Sequence, residues 1–415
     1  MRRAIALWLA LFAVYAAGTG LRASPGEDLS VPEAHYLLLT RSIVDDGNLD
    51  LSDEYGGAAW RPFYGGELVP LSGPREHGQL EPIAAGFPLL CAPAYALGGR
   101  IAVELWLAAL AALGFVAATA IARRLVPEPW ATRAVVAVGL SPPAVIAATT
   151  ISPDAAGASA LTGAAALALA ARERPLARLT AWCGTLLATL PWLAVRFVAP
   201  GAVVAAALLR WSRRRQRVLV GLVGLEIALF SLVLFVSIND RLYGGLTPYS
   251  VLPDGVSPTG AHGLAEHLAR WPRLLWLWVG PPQGLLLWAP ACALAFVAVW
   301  LLRRSRAAHL ARVLGDQVDV EVATTFLLTI AAAAVLVAVF LAATIAGPWF
   351  AGHELVVVLP ILGALASSGL RRLPRLGAVL CAITLALTAW TLIAVRLDDG
   401  AGVAPPRGAL PWAAR

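Results

Sequence analysis

Apolar runs that return at intervals, with arginines closing every second one, leave this chain few ways to fold in water. Runs of this kind occupy 4–17, 101–122, 134–150, 155–171, 179–195, 197–209, 218–238, 285–302, 322–346, 355–370 and 377–395. Arginines follow them at Arg123-Arg124, Arg172, Arg174, Arg210, Arg303-Arg304 and Arg371-Arg372. A hydrocarbon core about 30 Å thick takes roughly 20 apolar residues per helix. The pattern therefore predicts an all-α polytopic membrane protein of about eleven transmembrane helices, with residues 1–415 forming one integral membrane domain. If the N-terminus, Met1-Arg2-Arg3, starts an uncleaved first helix on the cytoplasmic side, every later arginine run falls on that side too. The long loops 21–100 and 239–284 then fall on the opposite, extracytoplasmic side.

Composition agrees. Hydrophobic residues make up 59% of the chain and charged residues 14%, which excludes an ordinary soluble enzyme. All 32 basic residues are arginine, a bias that suggests a GC-rich bacterial genome and hence the cytoplasmic membrane. The net charge of +7 arises from runs between apolar segments, so nucleic acid is not an expected partner; the lipid bilayer is. Cys91, Cys183, Cys292 and Cys381 are solitary and read as small buried hydrophobes.

Polar chemistry is concentrated in the first loop, which holds eleven of the 25 acidic residues, all between Glu27 and Glu81. It opens with SVPEAHYLLLTRSIVDDGNLDLSDEY, residues 30–55, which predicts a short amphipathic helix at the membrane surface. Ser30, Pro32 and Glu33 are its start signal: a cap, a proline in the first turn and an acid that folds back onto the cap. From the residues alone Glu33 reads first as that cap and second as a general base, with Asp28 and Glu27 just upstream as the substitutes if it is only a cap. His35 and Tyr36 are candidate ligand-binding groups, although such side chains also sit at membrane interfaces for their own sake. Asp45, Asp46, Asp50, Asp53 and Glu54 match no calcium-loop spacing and read as a solvated acidic surface. The loop closes with PIAAGFPLLCAPAYALGG, whose prolines and glycines predict a re-entrant or interfacial segment.

Farther on, Arg196 lies away from every other arginine run. An ionised group at membrane depth is normally paired or functional, and a guanidinium suits a lipid-linked phosphate. His353 and Glu354 in a short outer loop are candidate rim residues. Asp154 reads as a cap or turn acid at the start of a span, and Trp271, Trp276, Trp278 and Trp288 as an interfacial belt.

Taken in order, these segments resemble bacterial, actinobacterial-type, polytopic glycosyltransferases of the GT-C class, the group of the protein O-mannosyltransferases and aminoarabinose transferases. PEAHYLLLTRSIVDDGNLDL resembles that family's DEPHYLL…DGDLDL segment, GFPLLCAPAYALGG its PGLPLLLAPAYALGG, and LPWLAVRF (190–197) its LPWLHVRF. LLLWAPACALA and WFAGHELVVVLPILGAL are similar to later family segments. Pro32 stands where the family has an Asp, leaving Glu33 as the motif's only carboxylate. The resemblance implies transfer of a sugar from a polyprenyl-phosphate donor to a protein, lipid or glycan acceptor outside the cytoplasmic membrane. In that scheme Glu33 is the base, Arg196 holds the donor phosphate, and His35, Tyr36, His353 and Glu354 line the site. No metal ligands are identified; a divalent metal is compatible but not demanded. A transporter or flippase is the alternative, as is an inactive relative, but no pair of related halves with broken helices is visible.

Overall fold

The structure, a computed structural model, describes residues 2–397 except 22, 24–26, 74–77, 215–217, 282, 309–314 and 346–348. Parts of the basic run at 210–217 and of the first loop lie outside the described residues. Seventeen α-helices follow one another, with no β-strand among the described residues. The first six are α1 (Arg2–Ala16), α2 (Val31–Asp45), α3 (Ser52–Gly56), α4 (Gly86–Leu125), α5 (Trp130–Gly139) and α6 (Pro142–Ala147). The middle of the chain forms α7 (Pro153–Glu173), α8 (Ala177–Leu193), α9 (Val198–Arg214), α10 (Val218–Tyr243), α11 (Leu264–Ala269) and α12 (Arg273–Val279). The last five are α13 (Leu285–Trp288), α14 (Leu294–Ala308), α15 (Gly315–Phe340), α16 (Leu359–Arg372) and α17 (Pro374–Leu397).

Among the described residues, seven helices are long and apolar enough to cross a membrane: those at Gly86–Leu125, Pro153–Glu173, Val195–Arg213, Val218–Val251, Asp319–Phe340, His353–Arg372 and Pro374–Arg396. The chain is a multi-pass membrane protein. The other four expected spans are helical but short or broken. α1 has 15 residues and α8 has 17. The run at 134–150 is divided between α5 and α6, because Ser141-Pro142-Pro143 cannot continue a helix. Residues 285–302 form α13, a 3-10 turn at Pro290–Ala293 and α14.

The segment expected to be re-entrant is helical from Gly86 and runs into α4, a helix of 40 residues. Pro88 falls in its first turn, where no amide is needed. The break comes instead at Gly98-Gly99, and Gly99, with φ +59° and ψ −147°, adopts a conformation essentially confined to glycine. The chain kinks there between an apolar stretch, 86–97, and the remainder of α4.

Small residues set the close helix crossings, as expected where lipid offers no hydrophobic drive. At α8 and α10, a Cβ on Gly184 would collide with the Gly224 backbone, and one on Gly224 with the Thr180 carbonyl. Thr180 Oγ1 donates to the Val220 carbonyl at 2.6 Å across the same crossing. Gly184→Leu is accordingly expected to destabilise the fold by about 1–3 kcal/mol through overpacking, read from SDS-titration unfolding followed by tryptophan fluorescence.

The two ends of the bundle differ. At one, Arg124 pairs with Glu173 and Arg172 with Asp319, both at 2.6 Å. At the other lie α2, α3, the first turn of α7 and the start of α16. There α11 and α12 expose Leu268, Trp271, Leu275 and Trp276. Arg270 and Arg273 meanwhile donate to the carbonyls of Phe340 and Ala342 at the end of α15, the favourable place for a cation. Trp288 departs from the expected belt: it is buried against Phe350.

Candidate active site

The tightest group of charges gathers where four chain segments meet beneath α2. Ser152 is the N-cap residue of α7 and Pro153 opens the helix, so Asp154 stands in its first turn, where the helix dipole favours an anion. Pro191 lies in the last turn of α8, and beyond Leu193 the chain passes through an extended Ala194 into a 3-10 turn, Val195–Phe197. That turn places Arg196 against α7. Phe197 is wholly buried over Gly157, where a Cβ would strike its ring. Gly157 thus lets the arginine turn seat one helical turn from Asp154.

The third segment enters at Gly352, whose φ of +77° lies in the left-handed region that glycine adopts without strain. It leads directly into a 3-10 turn at His353–Val358. Arg196 Nη2 donates to Asp154 Oδ1 at 2.7 Å, and Nη1 lies 3.7 Å from Glu354 Oε2. His353 Nε2 is 3.0 Å from the other Asp154 oxygen, Oδ2, which also accepts from Ser152 Oγ at 3.1 Å. The His353 ring stacks on Trp349 with centroids 4.5 Å apart. Asp154 is 2% exposed, whereas the Arg196 side chain keeps 32% of its surface open. The buried carboxylate is saturated, while the guanidinium retains free donors facing a cavity that it lines with Asp154 and Glu354.

Tyr36 of α2, packed edge-on against Phe87, reaches the same cluster from above. Burial pushes its phenol above the usual tyrosine range, with the Arg196 charge opposing the shift. Tyr249 lies close enough to couple to both Tyr36 and Arg196.

Glu33 and Asp28 lie in a neighbouring cavity of about 30 Å³, shared with Arg100, Glu104 and Trp349. Glu33 is nearly fully engaged. Its Oε2 accepts the Ser30 amide at 2.9 Å and the Ser30 hydroxyl at 2.7 Å, and Oε1 accepts the Ile151 amide at 2.9 Å. The cap expected from the sequence forms, and the same carboxylate ties α2 to the residues just before α7. Asp28 faces Arg100 at 3.5 Å, and Arg100 also binds the buried Glu104 at 2.6 Å. Trp349, stacked on His353, lines this cavity.

His35 joins neither. It is 1% exposed on another face of α2, with Nδ1 3.0 Å from the Tyr55 hydroxyl, which itself donates to Glu81 Oε1 at 2.7 Å. Burial lowers its pKa to about 4. An unfolded histidine titrates near 6.5, so the unfolded chain binds the extra proton between about pH 6.5 and 4. This group's contribution is intact above that window and lost as pH falls through it. His35 is expected to remain neutral at pH 5 on its ¹³C imidazole shifts, assigned by comparison with His35→Gln.

Of the expected site residues, then, Tyr36, Arg196, His353 and Glu354 converge, Glu33 and Asp28 sit one cavity away, and His35 packs into the loop. Asp154 was read only as a cap or turn acid, and Glu104 was not singled out. An i, i+4 Arg-Glu pair inside an apolar run was the available signal for Glu104; nothing local distinguished Asp154 from a helix-start acid.

No family model matches the chain, and no curated protein does. Solved structures do. ArnT from Cupriavidus metallidurans, bound to undecaprenyl phosphate, superposes with a TM-score of 0.56 at 19% identity, covering 94% of this chain and 64% of that one. The Archaeoglobus fulgidus oligosaccharyltransferase, in complex with Zn and sulfate, gives 0.55 at 12% identity, covering 97% of this chain and 54% of that one. This chain has their fold. It spans less than two thirds of the length of either, and identities this low establish architecture alone. AglB from Archaeoglobus fulgidus, in complex with an inhibitory peptide and a dolichol-phosphate, scores 0.50.

Proposed function

We propose that this protein is a membrane glycosyltransferase moving a sugar from a polyprenyl-phosphate carrier to an acceptor on the extracytoplasmic face. The observation that carries the reading is Arg196, a half-open guanidinium anchored by buried Asp154 at the mouth of a fold shared with ArnT. Undecaprenyl phosphate in that neighbour and dolichol-phosphate in AglB support a lipid phosphate as the group Arg196 receives.

In this scheme the free N–H groups of Arg196 bind the donor phosphate and stabilise the charge it gains as leaving group. Asp154, held by Ser152 and His353, fixes the guanidinium in place. The acceptor oxygen attacks the anomeric carbon, the bond from that carbon to the phosphate oxygen breaks, and the acceptor proton leaves to a carboxylate. Glu354 is the carboxylate on the cavity with the loosest partner, so we assign the proton to it. Glu33, saturated by three donors, holds α2 over the site. Arg196 fills the space between Asp154 and Glu354 with positive charge, so no step is assigned to a divalent metal there. An apolar groove of about 750 Å³, lined by Leu90, Leu110, Leu167, Leu186 and Trp192, is suited to an isoprenoid chain.

The test is sugar release from radiolabelled polyprenyl-phosphate donors by the protein in nanodiscs. Glu354→Gln is expected to retain donor binding and lose at least about 10²-fold in turnover. Unchanged turnover in that variant moves the base to Glu33. Binding without turnover in the wild type replaces transfer with lipid movement, and failure to bind any donor removes the reading.

A further inference from the structure

Of the five acids in 45–54, two are accounted for locally. Asp45 pairs with Arg41 at 3.0 Å. Asp50 accepts the Ser52 amide and hydroxyl and the Gln79 amide, at 3.0, 2.6 and 2.6 Å. The other three converge. Ligand oxygens of Asp46, Asp53 and Glu54 all lie within 4.8 Å of one another. Asp46 caps the C-terminus of α2, so the cluster adds negative charge to the negative end of a helix.

A solvated acidic surface describes Asp46 and Asp53, which are exposed, but not Glu54. Glu54 is 5% exposed, and both its carboxylate oxygens are buried without a hydrogen-bond partner. Among the described residues no cation pairs with Asp46, Asp53 or Glu54, and Arg41 is already engaged by Asp45. A buried carboxylate is normally paired or bound to a metal. The ligands here are all oxygens, on two short segments without imidazole or thiolate, which suits a hard divalent cation and not zinc.

We propose that Asp46, Asp53 and Glu54 bind one calcium ion, completed by water or main-chain oxygens, that pins the end of α2 to α3. This site is separate from the sugar-transfer cluster and independent of that reading. It neutralises the charge at the helix end and lets Glu54 stay buried. Its reach extends to the neighbouring residue, Tyr55, whose hydroxyl links His35 of α2 to Glu81. The ion therefore fixes the loop that carries α2, without touching the reacting groups.

The experiment uses the full chain in nanodiscs of zwitterionic lipid, stripped with chelator and dialysed against calcium, magnesium or zinc chloride. Bound metal is counted by mass spectrometry against empty nanodiscs, and thermal unfolding is followed in parallel. We expect one calcium per chain and an upward shift of a few degrees in Tm on its addition. Glu54→Gln and Asp46→Asn should each weaken calcium binding by about tenfold or more. Asp45→Asn should leave it unchanged. Asp46 is exposed, so its variant reports even if Glu54→Gln folds poorly. Lack of stoichiometric calcium would mean that Glu54 merely keeps a proton and would overturn the proposal. Equal binding by wild type and both cluster variants would overturn it as well, and preference for zinc would overturn the calcium assignment.

Discussion

Arg196→Ala is expected to abolish donor binding and to cost stability as well. The substitution leaves Asp154, 2% exposed, with only Ser152 and His353 to offset its charge. Removing one partner of a buried pair costs about 3–5 kcal/mol; Arg196 is partly open, which places this variant at the lower end. Turnover should fall at least about 10²-fold, the usual consequence of deleting one group that stabilises developing charge. A combined Arg196→Leu and Asp154→Leu variant separates the two effects, because removing both charges restores stability while leaving the phosphate without its cation. The measurements are thermal unfolding and equilibrium binding of a labelled polyprenyl phosphate. A double variant that refolds and still binds the lipid phosphate would dismiss Arg196 as its receptor.

The second large effect is expected at Glu33. Glu33→Ala strips the acceptor from the Ser30 amide, the Ser30 hydroxyl and the Ile151 amide at once. Each buried donor left unsatisfied costs about 1–3 kcal/mol, so a loss of at least about 3 kcal/mol is expected. Glu33→Gln retains one acceptor oxygen and should lose less. Turnover per folded molecule decides the residue's role. A clamp predicts that turnover of Glu33→Gln follows its folded fraction, because α2 still carries Tyr36 to the cluster. A base predicts a stable protein with no turnover. Measuring activity and Tm on the same preparations tells them apart.

The apolar runs and their charged ends were legible in the sequence. Arginines follow the apolar runs because moving their charge through hydrocarbon is costly, and that cost acts locally. The start of α2 was legible for the same reason: Ser30, Pro32 and Glu33 lie within one helical turn, and their bonds form there. Arg196 stood out because a charge without neighbours at membrane depth demands a partner, although nothing nearby in the chain named it. The helical state of 86–97 was obscured by its prolines and glycines; Pro88 is harmless in a first turn, and the helix breaks at Gly98-Gly99.

Sequence alone thus determined what short-range energetics control: apolar spans, charged ends, a capped helix and a lone cation at membrane depth. Tertiary structure decided who meets whom. Asp154 reaches Arg196 across 42 residues because Gly157 admits Phe197, and His353 reaches Asp154 because Gly352 turns the chain inward. Glu54 looked like one solvated acid among five until α3 folded against the end of α2 and buried it. These pairings depend on side-chain fit between segments distant in the chain, which residue spacing does not record.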